Sequence, residues 1–344
     1  MYWYYKYPLF LLFALVVLGT GALVWKALPE KVVDKVKTPF ESDVEHDSDG
    51  AADGKVNGAE DGGAKVPPIP SPSGDTTVST GGSKPPSAAP TVDVQMLLAG
   101  ARRQLGADNL IAARALASKA MKGVALEFDR QWYECAELIT QVNTRLMNSS
   151  VPAPEKISYT IREGDALVRI AYRNRTTVGA LQRLNDSLAK DDSRIYPGRI
   201  LFYIKADWKI RVVKSRFLLI LQNGDEFYKL YHIAIGRENR TPEGTFEIIS
   251  KVLHPEWTHP TGRVIPYGDP ENVLGTHWMA LKPVGATPKH LIGYGIHGTK
   301  DPDSIGTRAS LGCVRMLNDK IAELYEYIPT PAARQPGVTV TIEE

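Results

Sequence analysis

Residues 38–90 contain few large apolar side chains and are dominated by Gly, Pro, Ser and Asp, including the run Pro67-Pro68-Ile69-Pro70. Such a stretch cannot bury enough apolar area to offset the loss of chain entropy on folding. We therefore predict a disordered linker over residues 38–90. Whatever folds in this 344-residue chain is confined to the segments on either side, residues 1–37 and 91–344.

The segment before the linker is an apolar run from Leu9 to Trp25, preceded by an aromatic stretch and followed by Lys26. At 1.5 Å per residue the run reaches about 26 Å, close to the thickness of a bilayer core. We expect residues 1–37 to be a membrane-anchor region with one transmembrane helix. A cleaved signal peptide is the alternative, and the lysines at the two ends leave the orientation open.

Charge and cysteine content exclude several classes of protein. Lys and Arg number 41 against 39 Asp and Glu, so the net charge of +2 gives no electrostatic case for a nucleic-acid partner. Two cysteines are too few for a disulfide framework or a Cys-rich zinc module. The histidines His254, His259, His277 and His290 have no regular ligand spacing, so we predict neither a metal nor a cofactor.

Residues 91–150 have apolar positions at helical spacing, for example Trp132, Cys135 and Ile139. We predict a small all-α module of about three helices. Cys135 falls within the apolar stripe and is interpreted as an inert core residue. The module is either a spacer or a docking site for a protein partner, and the sequence leaves both open.

Residues 156–205 alternate like a strand, then show two helical faces, then alternate again, which predicts a βααβ unit. Its turns contain Gly164-Asp165 and Pro197-Gly198, and Asn185 follows the second helix. These motifs resemble the LysM family. The resemblance implies an α+β fold that binds N-acetylglucosamine-containing glycans, chiefly peptidoglycan or chitin, beside its turns; a LysM fold retained only as a spacer is the alternative.

The chemical signal of the chain lies in Tyr-Gly-Ile-His-Gly-Thr at 294–299 and Ser-Leu-Gly-Cys-Val-Arg-Met at 310–316. Cys313 can act as a nucleophile if His297 accepts its proton and Arg315 supplies positive charge. Gly312 lets a substrate carbonyl approach the backbone, so the N–H groups of Gly312 and Cys313 are candidates for an oxyanion hole. The arrangement favours acyl transfer.

These motifs, with upstream matches such as Thr241-Pro242-Glu243-Gly244, resemble the YkuD-type L,D-transpeptidase catalytic domain over residues 208–344. The resemblance implies a mostly-β domain in which Cys313 attacks a peptidoglycan stem peptide and the Gly298 carbonyl orients His297. Arg315 either supports catalysis or packs structurally. The groove would use Ser310, Tyr294 and Trp278 to bind substrate, and Leu311 departs from the His that is common in the family.

The expected protein is thus a multidomain L,D-transpeptidase of the bacterial cell envelope. We expect it to be anchored in the inner membrane with its catalytic domain in the periplasm or extracytoplasmic space. Its partners would be peptidoglycan glycan strands and stem peptides. Hydrolysis by the same site (an L,D-carboxypeptidase), attachment of a protein to the wall, and a non-enzymatic wall tether are the alternatives.

Overall fold

The computed structural model describes residues 93–188, 194–332 and 335–344. The expected transmembrane helix and the linker of residues 38–90 lie outside these ranges. Six α-helices occur in the described ranges: α1 Val94–Gly106, α2 Leu110–Lys122, α3 Arg130–Met147, α4 Leu167–Arg173, α5 Val178–Leu184 and α6 Asn318–Tyr327. Fourteen strands accompany them: β1 Lys156–Thr160, β2 Ile200–Ile204, β3 Trp208–Val213, β4 Leu218–Asn223, β5 Glu226–His232, β6 Ile235–Gly236, β7 Gly244–Leu253, β8 Trp257–Thr258, β9 Val264–Ile265, β10 His277–Pro283, β11 Gly295–Thr299, β12 Arg308–Ser310, β13 Val314–Leu317 and β14 Thr339–Glu343.

Membrane anchoring requires a correction. No helix within the described ranges has the length and apolar character needed to cross a bilayer. Even α3, which has 18 residues, is amphipathic and carries charged residues such as Arg130 and Glu134. The expected fold class with its N-terminal transmembrane helix, and the expected inner-membrane location, are therefore not supported. The supported architecture is a mostly-β C-terminal domain with the βααβ module upstream.

Helices α1–α3 form the predicted all-α segment. Asp93 and Asp129 cap α1 and α3 by accepting hydrogen bonds from the backbone N–H groups of Met96 and Trp132, at 2.9 and 2.7 Å. Cys135 is fully buried in the core of these helices. Burial raises the pKa of its thiol to about 11, which agrees with an inert core residue.

The βααβ unit pairs β1 antiparallel with β2 and packs α4 and α5 beside them. Asn185 ends α5 by donating from Nδ2 to the carbonyls of Leu181 and Phe202 and accepting from the Phe202 N–H. This side chain thus satisfies three backbone groups at the junction between α5 and β2. Gly164 and Gly198 have positive φ in the two turns.

The C-terminal domain is built on an eight-stranded sheet with strand order β13-β11-β10-β7-β14-β3-β4-β5. Helix α6 covers one face and buries Ile321, Leu324 and Tyr327 against it. Strand β14 lies in the middle of the sheet, parallel to β3 and antiparallel to β7. It therefore joins the two halves of the sheet.

Helix α3 covers the outer edge of the sheet along β5. Thr140 Oγ1 accepts a hydrogen bond from the Leu230 N–H at 3.0 Å, and Asn143 Nδ2 donates to the Tyr228 carbonyl at 2.8 Å. An uncovered edge strand is a template for unwanted pairing with another chain. In this structure the helical module is a packed part of the C-terminal domain, and nothing supports the expected protein partner.

Candidate active site

The candidate site lies on one face of the sheet where β11 pairs with β13 in parallel and with β10 antiparallel. The register aligns Trp278 with His297 and His297 with Arg315. In-register residues on neighbouring strands point to the same face, and successive residues alternate between faces. The alternate residues, Met279, Ile296, Val314 and Met316, are no more than 1% exposed on the opposite face and form the core beneath α6.

Cys313 immediately precedes β13, beside residues 293–295 of the neighbouring segment. Its side chain is half-buried, and Sγ lies 4.0 Å from the carbonyl oxygen of Gly293. Burial raises the pKa of the thiol to about 11, while the Gly295 N–H and the Arg315 guanidinium act in the opposite direction. The side chain of Cys313 is therefore a thiol at neutral pH.

His297 is the second residue along β11 from Gly295, about 7 Å along a strand. It is 3% exposed, and its Nδ1 lies 2.7 Å from the carbonyl oxygen of Gly298. Because a carbonyl only accepts, Nδ1 of the neutral ring carries the hydrogen and Nε2 is left as the acceptor. The Gly298 carbonyl thus favours the tautomer with a hydrogen on Nδ1, which the expected role of His297 as proton acceptor requires.

Burial is the largest cause that lowers the pKa of His297, to about 4, and the Arg315 guanidinium adds to it. The carbonyls of Gly298 and Leu274 act in the opposite direction. The Trp278 ring stacks on the imidazole with centroids 6.1 Å apart and planes at 27°. At neutral pH the site therefore holds an uncharged imidazole and an uncharged thiol, rather than an ion pair.

Two side-chain hydroxyl groups form hydrogen bonds with the backbone of the turn that contains Cys313. Ser310 Oγ donates to the Cys313 carbonyl at 2.6 Å and accepts from the Gly312 N–H at 3.1 Å. Thr241 Oγ1 donates to the Gly312 carbonyl at 2.9 Å and accepts from the Gly236 N–H at 2.7 Å. The backbone on both sides of the peptide bond between Gly312 and Cys313 is therefore held by side chains.

The hydrogen bond between the Gly312 N–H and Ser310 affects the predicted oxyanion hole. Of the two N–H groups expected to hold the oxyanion, that of Gly312 already donates to Ser310 Oγ. To bind a substrate oxygen, the Gly312 N–H would have to donate to that oxygen as well as to Ser310 Oγ, or to give up its hydrogen bond to Ser310 Oγ. The oxyanion role of Gly312 and Cys313 remains a prediction.

Gly312 is required by close packing as well as by its backbone conformation. Its φ is +143°, and a Cβ would lie 2.8 Å from Tyr294 Cε1. Tyr294 therefore lies against the turn of the nucleophile and beside Cys313, whose charge contributes after burial to a raised pKa of the phenol. Leu311, at the position where the family often has His, is 53% exposed at the same turn.

Arg315 lies directly opposite His297 in the register of β11 and β13. Its backbone exchanges two hydrogen bonds with Ala234, at 2.8 and 2.9 Å. Its Nε is buried, and no group among the described residues accepts a hydrogen bond from it. Burial lowers the pKa of this guanidinium despite the attraction of Asp301. An unpaired donor on this side chain fits the expected functional role, electrostatic support or binding of a substrate carboxylate, better than the structural alternative, in which Arg315 packs against neighbouring carbonyls.

The structure brings together all eight residues that the sequence marked, and it adds two. These are Thr241, which enters the sequence analysis only as part of the upstream motif Thr241-Pro242-Glu243-Gly244, and Asn318, whose Oδ1 accepts from the Thr276 N–H at 3.0 Å next to Gly298. No local signal predicts the contacts of either residue, because each acts on a segment that is distant along the chain. The other histidines are engaged separately: His254 stacks on Tyr267, and His277 Nδ1 contacts the Thr276 hydroxyl.

Comparison with known proteins identifies two domains. The model of the L,D-transpeptidase catalytic domain (YkuD) matches residues 207–342, and the LysM domain model matches residues 159–202. A Bacillus subtilis protein named L,D-transpeptidase YkuD is 32% identical over 191 residues, which cover 54% of this chain and 98% of that protein. The chain belongs to the L,D-transpeptidase family.

A second Bacillus subtilis protein, named L,D-transpeptidase YqjB, is 36% identical over 33% of this chain and 61% of its own length. A solved L,D-transpeptidase from Mycobacterium smegmatis covers 55% of this chain and 91% of its own, with 16% identity and a TM-score of 0.32. This L,D-transpeptidase thus carries its LysM domain upstream of the catalytic domain. The two domains together imply binding of peptidoglycan.

Proposed function

We propose that this L,D-transpeptidase acts on peptidoglycan stem peptides through a thioester on Cys313, at the bacterial cell wall. The observation that supports the proposal is the placement of Cys313 beside Gly295 and of His297 two residues further along the same strand. A non-enzymatic wall tether has no need of a thiol and an oriented imidazole on neighbouring segments of the sheet.

The acylation step follows from the neutral resting pair. Cys313 Sγ attacks the carbonyl of the third stem residue while its proton passes to His297 Nε2, so charge separates only as the S–C bond forms. The C–N bond then breaks, and the imidazolium returns the proton to the departing amine of D-Ala. The product is a thioester between Cys313 and the shortened stem.

The second half-reaction reverses these roles. An acceptor amine attacks the thioester carbonyl and loses a proton to His297, and the thiolate leaves and is reprotonated. The result is a new amide and a free thiol, with no net gain or loss of electrons. Water in place of the amine gives an L,D-carboxypeptidase, and an amine of a protein gives attachment to the wall.

The LysM domain contributes local concentration. A weak contact with glycan strands, linked to the catalytic domain, raises the effective concentration of stem peptides at Cys313 without altering the chemistry. This arrangement is consistent with a cell-wall location.

Release of D-Ala from a disaccharide tetrapeptide tests this function, with product masses recorded with and without an acceptor amine. We expect Cys313→Ala to abolish release and Cys135→Ala, a change in the helical core, to retain it. Cross-linked products with acceptor indicate a transpeptidase, and tripeptide alone indicates a carboxypeptidase. Release by Cys313→Ala at the rate of the wild type contradicts the proposal.

A further inference from the structure

A cleft of about 350 Å³ separates the LysM helices from the C-terminal end of α6. Its volume falls within the range of small-ligand pockets, which occur preferentially at domain interfaces. The lining comes from both domains and includes Val168, Tyr172, Thr176, Lys251, Tyr325 and Glu326. It does not include the turns at Gly164 and Gly198, beside which the LysM resemblance places glycan binding.

The walls of this interdomain cleft are held in place by direct contacts. Thr177 Oγ1 lies 2.6 Å from Glu326 Oε2 and 2.9 Å from the Glu326 carbonyl oxygen. The Glu326 carboxylate packs against Gly179, where no side chain intervenes. Arg175 donates to the Pro336 carbonyl at 3.0 Å. A ligand therefore meets a preformed cleft and does not have to order its walls.

Every charged side chain at the cleft is already engaged by the protein. Lys251 Nζ donates to the carbonyls of Tyr325 and Ile328 at the end of α6 and lies 3.9 Å from the Tyr325 ring centroid. Glu326 and Arg175 have the partners described above. The cleft thus offers little free charge to a phosphate or to a carboxylate-rich stem peptide.

What remains exposed is amphipathic. Tyr172 is 52% exposed and Val168 is 70% exposed, and the amide side chain of Gln335 lines the same cleft. Aromatic and aliphatic surface beside neutral hydrogen-bonding groups suits an uncharged ligand with an apolar face and a polar rim. A pyranose ring has this chemistry.

We infer that the interdomain cleft binds a sugar unit of the peptidoglycan glycan strand, as a second glycan contact separate from the LysM turns. The register places it on the side of the sheet away from the nucleophile. Lys251 pairs with Met279 on the core face, whereas Val252 pairs with Trp278 on the face of His297. The contact therefore holds the enzyme on the wall and leaves Cys313 free. The inference rests on the proposed function only for its ligand class.

The test uses stem-free glycan strands, prepared from peptidoglycan by amidase digestion, and measures their dissociation constant for the full chain by calorimetry. We expect Tyr172→Ala to weaken binding about tenfold, Tyr172→Phe to retain it, and Val168→Asp to weaken it by placing a charge at the cleft. Leu126→Ala is the control, because Leu126 is 68% exposed but lies in the helical module, outside both the cleft and the LysM turns. We expect it to bind the glycan strands like the wild type.

Amide shifts in NMR spectra locate the contact independently. Shifts on glycan addition should appear at residues 168–179 and 325–326. Unchanged affinity in both Tyr172→Ala and Val168→Asp, or shifts confined to the turns at 163–165 and 196–198, overturns the inference. Release of D-Ala from a sugar-free tetrapeptide should be equal in Tyr172→Ala and wild type. If Cys313→Ala retains that release, the proposed function fails while the glycan contact stands.

Discussion

His297 lies directly opposite Arg315 in the parallel register of β11 and β13. After burial, this cation lowers the pKa of the imidazole, and it also lowers the pKa of the Cys313 thiol. One guanidinium thus acts on the proposed base and the proposed nucleophile in the same direction. Together with burial, which is the larger cause, it keeps the imidazole in its neutral form.

Replacing Arg315 should therefore shift both groups. In Arg315→Gln we expect the pKa of His297 to rise and that of Cys313 to rise, so alkylation of the thiol slows at any given pH. NMR titration of the His297 ring and alkylation kinetics measure the two shifts. The control is Arg240→Gln, because Arg240 pairs with Glu238 at the surface. Unchanged pKa values of His297 and Cys313 in Arg315→Gln would show that the guanidinium does not influence the protonation of either group.

The neutral resting pair predicts a steep pH profile for alkylation. With a thiol pKa of about 11, the thiolate fraction of Cys313 rises about tenfold for each pH unit between pH 6 and 10. Iodoacetamide rates measured in a Cys135→Ala background report this single thiol. A plateau in the neutral range would instead reveal a preformed thiolate–imidazolium pair.

Thr241 provides a prediction about positioning. In Thr241→Val the buried Gly236 N–H and Gly312 carbonyl lose their partner, which costs about 1–3 kcal/mol of unfolding free energy. The shifted nucleophile should lower kcat about tenfold to a hundredfold and leave KM nearly unchanged. Thr241→Ser keeps the hydroxyl and should restore kcat. Equal kcat values in Thr241→Val and Thr241→Ser would show that Thr241 stabilises the fold but does not position Cys313 for catalysis.

The packing of helices against β5 predicts an effect on the free energy of unfolding at a position far from Cys313. Lys229 on β5 is 3% exposed and pairs with Glu323 of α6 and with the Thr144 hydroxyl of α3. Breaking such a pair in Lys229→Met leaves a carboxylate unpaired and should cost about 3–5 kcal/mol in urea unfolding. Lys229→Met with Glu323→Leu should recover much of this loss.

Lys209→Met is the control for this pair, because Lys209 meets Asp225 at the surface and should unfold like the wild type. If Lys229→Met is as stable as this control, the buried pair of Lys229 with Glu323 does not stabilise the packing of α6 against β5.

The chemistry of the site could be predicted from sequence because its signal is local. His297 and Cys313 lie within one short stretch, and β11 and β13, which carry or adjoin them, become neighbours in the sheet. Gly298 and Gly312 could be predicted for the same reason, because they are adjacent in sequence to His297 and Cys313. The alternating strands and helical faces of residues 156–205 likewise follow from period alone.

Long-range packing could not be predicted in this way. The contact of Thr241 with the Gly312 carbonyl joins segments 71 residues apart, and nothing in a Thr-Pro-Glu-Gly turn announces it. The cover of β5 by α3 depends on which edge of the sheet is left open, a property of strand order. The expected membrane helix rested on the length, the hydropathy and the flanking residues of the run from Leu9 to Trp25, and the described helices give it no support.

The most direct measurement is the intact mass of the enzyme during turnover of a tetrapeptide stem. We predict a transient adduct equal to the substrate minus D-Ala, labile to hydroxylamine and mapped by peptide sequencing to Cys313. Cys313→Ala should show no adduct and no D-Ala release, and His297→Gln should form the adduct far more slowly. An adduct on another residue, or D-Ala release from Cys313→Ala, would contradict the thioester mechanism.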